Sequence, residues 1–189
     1  MNKHDTKDKV VFGFWIYLMT DLVMFAALFA AFAVLRGNTF GGPDGREIFN
    51  LPSVLAETLI LLTSSFTVGL GMLAANQKNK NQTLAWFGLT FLLGISFLFM
   101  EVKEFSRLLA EGHGPQISAF LSSFFTLVGT HGLHIAVGLF WLIILFIKIW
   151  RDDLNTNSLR QLTLLSLFWH FLDIVWIFIF TIVYLVGSK

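Results

Sequence analysis

Hydrophobic positions along this chain fall into five long blocks, separated by short polar stretches rich in Gly, Pro, Asn and charge. The blocks cover approximately residues 11–35, 53–75, 84–109, 119–149 and 162–187. Each exceeds the roughly 20 helical residues needed to cross about 30 Å of hydrocarbon. The separators read RGNTFGGPDGRE, NQKNKNQ, EGHGP and RDDLNTNSLR, which are turn and breaker compositions. They are too short for a soluble domain, and no internal repeat is evident. The pattern predicts an all-α polytopic membrane protein: residues 1–189 as one domain, a bundle of five transmembrane helices.

Charge gives the bundle a direction, because Lys and Arg are retained on the cytoplasmic side. With the N-terminus inside, the inner segments carry Lys3, Lys7, Lys9, Lys78, Lys80, Lys148, Arg151 and Arg160. The outer ones carry Arg36, Arg46, Lys103, Arg107 and Lys189. The predicted topology is therefore N-terminus cytoplasmic and C-terminus outside. AAFA at 30–33 has the look of a signal-peptidase site, but the apolar run before it is long and contains Asp21, so it reads as a retained first span.

Composition narrows the chemistry. The chain is 56% hydrophobic and 13% charged, too apolar for a soluble globule of its size. A net charge of +1 leaves no basic patch for nucleic acid. With no Cys there is no disulfide, iron–sulfur cluster, CxxCH haem attachment or thiolate copper centre. A redox group would have to hang on His or Met.

The ionisable residues inside the spans are the candidate functional positions, since such groups are costly in a membrane and carry function by default. At about 1.5 Å of rise per residue, Asp21, His131, His134 and Asp173 fall near the midplane, with His170 slightly below. Glu57, Glu101 and Glu104 form a shallower layer in the outer half. Glu101 and Glu104 read either as inward groups or as the wetted end of the third span beside Lys103 and Arg107, and Glu57 as inward or snorkelling. Asp21 and Asp173 reach neither surface; each must be protonated, paired, or face water or polar protein.

His131 and His134 lie about 60° apart on one helical face, so they could share one zinc-like ion. They cannot be both axial ligands of one haem, for which His170 is the only further candidate at that depth. His170 and Asp173 are also i and i+3, a spacing that permits local pairing. Metal or haem ligation, proton conduction and structural hydrogen bonding all stay open on these residues alone. Ala26, Ala27, Ala30, Ala31 and Ala33 predict a small, closely packed face on the first span, and Gly132 with Ala136 a second one beside the histidines. Phe91, Phe97 and Phe99 are expected on a lipid-facing or partner-facing surface of the third.

Taken together, FGFWIYLMTDLVMF (12–25), LAETLILLTSS (55–65), MEVKEF (100–105), GTHGLHIAVG (129–138) and LFWHFLDIVWIFIFTIVYLVGS (167–188) resemble subunit III of the haem-copper respiratory oxidases, in the order found there. The five-span length, the connector GGPDGREIFNLP and Asp21 resemble the cytochrome bo-type ubiquinol oxidase branch. The resemblance implies a non-catalytic subunit of a proton-pumping terminal quinol oxidase in the bacterial inner membrane. It implies no cofactor in this chain, with haem and copper in a partner subunit and bound phospholipid. The expected partners are the catalytic haem-copper subunit I, other oxidase subunits and membrane lipid. It further implies that Asp21, Glu57, Glu101, Glu104, His131, His134, His170 and Asp173 are intramembrane polar contacts rather than catalytic groups or metal ligands. The alternatives are subunit III of a cytochrome c oxidase, an independent proton-coupled transporter, or a haem-carrying electron-transfer protein. Pro43, Pro52 and Pro115 lie in or at the edges of loops, which disfavours the broken helices of a transporter.

Overall fold

The computed structural model describes residues 3–39, 48–152 and 154–187, the first six of these by backbone alone. Pro43, Asp44, Arg46, Lys189 and most of the connector GGPDGREIFNLP lie outside the described residues. Five long helices follow in order: α1 (Lys3–Leu35), α2 (Leu51–Asn76), α3 (Lys80–Ala110), α4 (Ala119–Arg151) and α5 (Thr156–Ile179). A π-helical segment, Phe180–Leu185, continues α5. All five are long and apolar enough to cross a membrane.

Several helices begin before their apolar block does, because hydropathy marks the bilayer portion whereas hydrogen-bonded capping marks the helix. Asn79 accepts from the Gln82 N–H and starts α3 ahead of residue 84. Asn155 accepts from the N–H groups of Asn157 and Ser158, which starts α5 ahead of residue 162. The C-terminal ends of α2 and α3 share one motif. Asn79 N–H reaches Ala74 O and Lys78 N–H reaches Ala75 O, just as His113 and Gly112 reach Leu108 and Leu109. Such an end needs a left-handed residue; Gly112 supplies it at φ 81°, and Lys78 is forced into it at φ 57°.

The helices α2, α3, α4 and α5 close a ring in which each contacts the next and α5 returns to α2, while α1 lies outside it against α4 and α5. α1 turns Leu18, Asp21, Phe25 and Phe32 inward, at helical spacings. The alanines expected to make its close-packed face, Ala26, Ala27, Ala30, Ala31 and Ala33, are instead all exposed. Phenylalanine buries more surface than alanine, so the single buried stripe falls on the aromatic positions. Phe97 is a second correction: it is fully buried, edge-on to Trp176 at 4.7 Å, whereas Phe99 is exposed as expected. Small residues do their work within the ring. A Cβ on Gly132 would lie 2.7 Å from Glu101 Oε1, and one on Gly94 2.9 Å from both Leu139 and Trp169.

Candidate functional site

The intramembrane polar residues fall into three groups with different partners. The first joins α2, α3 and the π segment. Glu57, Glu101 and Glu104 are all buried, at 1%, 2% and 9% exposure, so neither the wetted-end nor the snorkelling arrangement is adopted. They are close enough to act on one another electrostatically. Tyr184 donates its hydroxyl hydrogen bond to Glu104 Oε2 at 3.2 Å. No oxygen of Glu57 or Glu101 has a hydrogen-bond partner among the described residues. Tyr184 reaches this place from within the π-helical segment, in which it and Val183 are the buried residues. Gly187 just beyond packs directly on the Val183 carbonyl, where a side chain would not fit.

The second group lies between α1 and α4. His134 Nδ1 donates to the Thr130 carbonyl at 2.7 Å, since a carbonyl can only accept. Its Nε2 then faces Asp21 Oδ2 at 3.8 Å. His131, one turn earlier, is completely buried in a different setting. Its ring stacks on Trp176 at 5.2 Å and meets Phe97 edge-on at 6.0 Å, and neither nitrogen has a hydrogen-bond partner among the described residues. The shared helical face therefore resolves into two environments, one aromatic and one carboxylate.

The third group joins α2 and α5. Ser65 Oγ lies 2.7 Å from His170 Nδ1, and Asp173 Oδ2 approaches the same nitrogen at 3.8 Å. Hydroxyl, imidazole and carboxyl are the members of a hydrolytic triad, but a triad needs Ser and Asp on opposite ring nitrogens, and here both address Nδ1. The geometry is that of a hydrogen-bonded strut. Among the described residues, no group of three or more His, Asp or Glu side chains is arranged to hold a metal ion.

Sequence reasoning missed the hydroxyls that tie α2 to its neighbours. Trp169 Nε1 donates to Ser64 Oγ and Trp176 Nε1 to Thr58 Oγ1, each at 3.0 Å. Thr67 and Thr90 hydroxyls meet at 2.8 Å between α2 and α3. The signal was present as two tryptophans seven residues apart on α5, opposite a Ser/Thr-rich α2. Indole N–H groups buried in hydrocarbon need acceptors, and hydroxyls on a facing helix are what a membrane bundle supplies.

Comparison with known proteins gives the family. A family model described as cytochrome c oxidase subunit III matches residues 2–188. The chain belongs to the cytochrome c oxidase subunit III family. Among curated relatives in it, the cytochrome bo(3) ubiquinol oxidase subunit 3 of Pseudomonas aeruginosa is 58% identical, across 98% of this chain and 88% of that one. The subunit of the same name from Pseudomonas putida is 52% identical across 97% and 89%. The cytochrome c oxidase subunit 3 of Bacillus sp. (strain PS3) is 45% identical across 93% and 84%. Membership in the family extends over all three polar groups, so none of them belongs to an added module.

Proposed function

We propose that this chain is subunit III of a ubiquinol oxidase, a non-catalytic membrane subunit that stabilises the oxygen-reducing core and holds lipid at its flank. The observation carrying this reading is the 58% identity, over 98% of the chain, to a cytochrome bo(3) ubiquinol oxidase subunit 3. Several features support it. Every helix presents large exposed apolar side chains, such as Phe12, Phe66, Phe99, Phe140 and Phe178, a surface suited to lipid and to neighbouring helices. Polar side chains tie the helices together, as Trp169 and Trp176 to Ser64 and Thr58 and Tyr184 to Glu104, which suits a packing subunit. Haem and copper belong to the partner subunit in this reading, and Asp21, Glu57, Glu101, Glu104, His131, His134, His170 and Asp173 act as structural polar contacts. The complex resides in the bacterial inner membrane, with the N-terminus cytoplasmic and the C-terminus outside.

The Bacillus relative keeps a second electron donor in view, cytochrome c. One experiment addresses both. The tagged chain is purified in mild detergent, and its partners, optical spectrum and oxygen consumption are recorded. The expected result is co-purification with a haem-bearing catalytic subunit, oxygen uptake driven by ubiquinol and not by reduced cytochrome c, and no haem absorbance in the separated chain. A chain that purifies alone, or keeps a Soret band that His131→Ala removes, would overturn the reading.

A further inference from the structure

At the ends of α2 and α3 assigned to the outer side, polar side chains converge that the bundle itself does not use. α3 is 31 residues long, about 46 Å, and overshoots a hydrocarbon core of about 30 Å. Lys103 and Arg107, near its C-terminal end, therefore stand at headgroup level. With Asn50 and Ser53 at the start of α2, and with Met100 and Glu104, they line a recess of about 320 Å³. The Asn50 side chain, the Ser53 hydroxyl and the Lys103 ammonium have no partner among the described residues. Arg107 gives an N–H to the Ile48 carbonyl at 3.0 Å, and a guanidinium has further donors to offer.

Glu104 narrows the choice of ligand. It is only 9% exposed; Tyr184 donates to its Oε2, whereas the buried Oε1 has no partner among the described residues. Two cations at the rim call for an anion, and Glu104 Oε1 calls for a donor beside that anion. Phosphate alone answers the first need and not the second. A phosphate diester that carries an ammonium group answers both. A glycerol headgroup would bring a hydroxyl to Oε1, but not the charge that strengthens a hydrogen bond to a carboxyl. Inward of the recess, Met100 on α3 and Ala56 and Ile60 on α2 are half-exposed, the last two lying one and two turns beyond Ser53. They give acyl chains an apolar seam directly beneath the polar groups, which a soluble phosphate would not use.

We infer that this recess seats the headgroup of a phosphatidylethanolamine of the outer leaflet, its phosphate between Lys103 and Arg107 and its ammonium on Glu104 Oε1. The inference rests on the reading of the chain as a lipid-holding subunit III and adds to it the place, the leaflet and the headgroup. Asn50 and Ser53 donate to the remaining phosphate oxygens. Tyr184 holds the Glu104 carboxyl by Oε2 and leaves Oε1 to the lipid.

The test uses the assembled oxidase complex, reconstituted in vesicles of phosphatidylethanolamine and phosphatidylglycerol in equal parts. A benzophenone side chain replaces Met100, and the adducts formed on illumination are identified by mass spectrometry. Phosphatidylethanolamine adducts are expected to exceed phosphatidylglycerol adducts about threefold, in keeping with the strength of a charge-assisted hydrogen bond. Adding Lys103→Met should lower their yield about fivefold, the size of one lysine's attraction for lipid at a membrane surface. Glu104→Gln still accepts from Tyr184 but can turn an N–H toward the recess, so it should erase the preference between the two lipids while lipid adducts persist. Equal adducts of both lipids with Glu104 intact would overturn the inference. So would adducts to quinol or to another subunit in place of lipid, an unchanged yield in Lys103→Met, or loss of the adduct on adding inorganic phosphate. If the benzophenone variant fails to assemble, the phosphatidylethanolamine retained by the detergent-purified complex is measured instead. Lys103→Met should retain less than the parent complex, and equal retention would overturn the site. Any of these failures in a complex that keeps this chain would remove the lipid site and leave the subunit assignment standing. Failure of the chain to co-purify with any oxidase subunit would remove both.

Discussion

Gly132 shows how a single missing methyl group determines what can stand opposite it. Its α-carbon lets the Glu101 carboxyl lie against α4. A Cβ there would sit 2.7 and 2.8 Å from the two Glu101 oxygens, inside contact distance. Glu101 is buried and has little space into which to retreat. Gly132→Ala is therefore expected to destabilise the bundle by about 1–3 kcal/mol. The same substitution in a Glu101→Asp background, where the carboxyl is drawn back by one methylene, should cost less. A double-mutant cycle read by thermal unfolding in detergent checks this, and additivity would refute the contact. The spacing of Gly132 and Ala136 was legible in the sequence as a close-packing signal. That the group approaching is a carboxylate was not, because Glu101 comes from another helix.

Among the elements, α5 reaches α2 through three polar side chains, Trp169, His170 and Trp176. Asp173 sits a turn beyond His170 and beside Ser65 of α2. Asp173→Asn keeps the shape and an acceptor, whereas Asp173→Leu withdraws the polar neighbour of the half-exposed His170, which keeps Ser65, at a cost of about 0.5–1.5 kcal/mol. Leu should weaken retention of the chain in the complex and Asn should be tolerated, with oxygen reduction persisting in whatever complex assembles. Subunit stoichiometry and quinol-oxidase turnover in reconstituted vesicles provide the readout. A fully assembled Asn variant without turnover would point to proton transfer through this helix instead. The element boundaries show where reading by hydropathy stops. Helical turns outside the bilayer are polar, so α3 and α5 start at Asn caps that an apolar window passes over. The π segment had no sequence signature at all. Its register places Tyr184 against Glu104, a tertiary contact.

For the whole molecule, loop charge makes a prediction about direction. The chain has no Cys, so single cysteines at Asn79 and Glu111 are unique probes in exposed turns at opposite ends of α3. With an impermeant maleimide, Glu111→Cys should label from outside and Asn79→Cys only after the membrane is opened. Equal labelling from outside would refute the orientation. The number of spans, their order and the polar residues placed in them were determined by the sequence itself, because a bilayer allows a continuous apolar stretch of this length little alternative to a helix. Family motifs added the relationship to oxidase subunits. Which faces meet was decided only by the tertiary structure. In a membrane both the interior of a bundle and its lipid surface are apolar, so hydropathy cannot tell Phe97, fully buried, from Phe99, exposed two residues later. The same ambiguity hid the alanines of α1 on its outer side and turned Phe25 and Phe32 inward. It also hid the pairing of Ser64 and Thr58 with Trp169 and Trp176. Pairings of this kind follow from shape and hydrogen-bonding need between helices, and neither is written along any one of them.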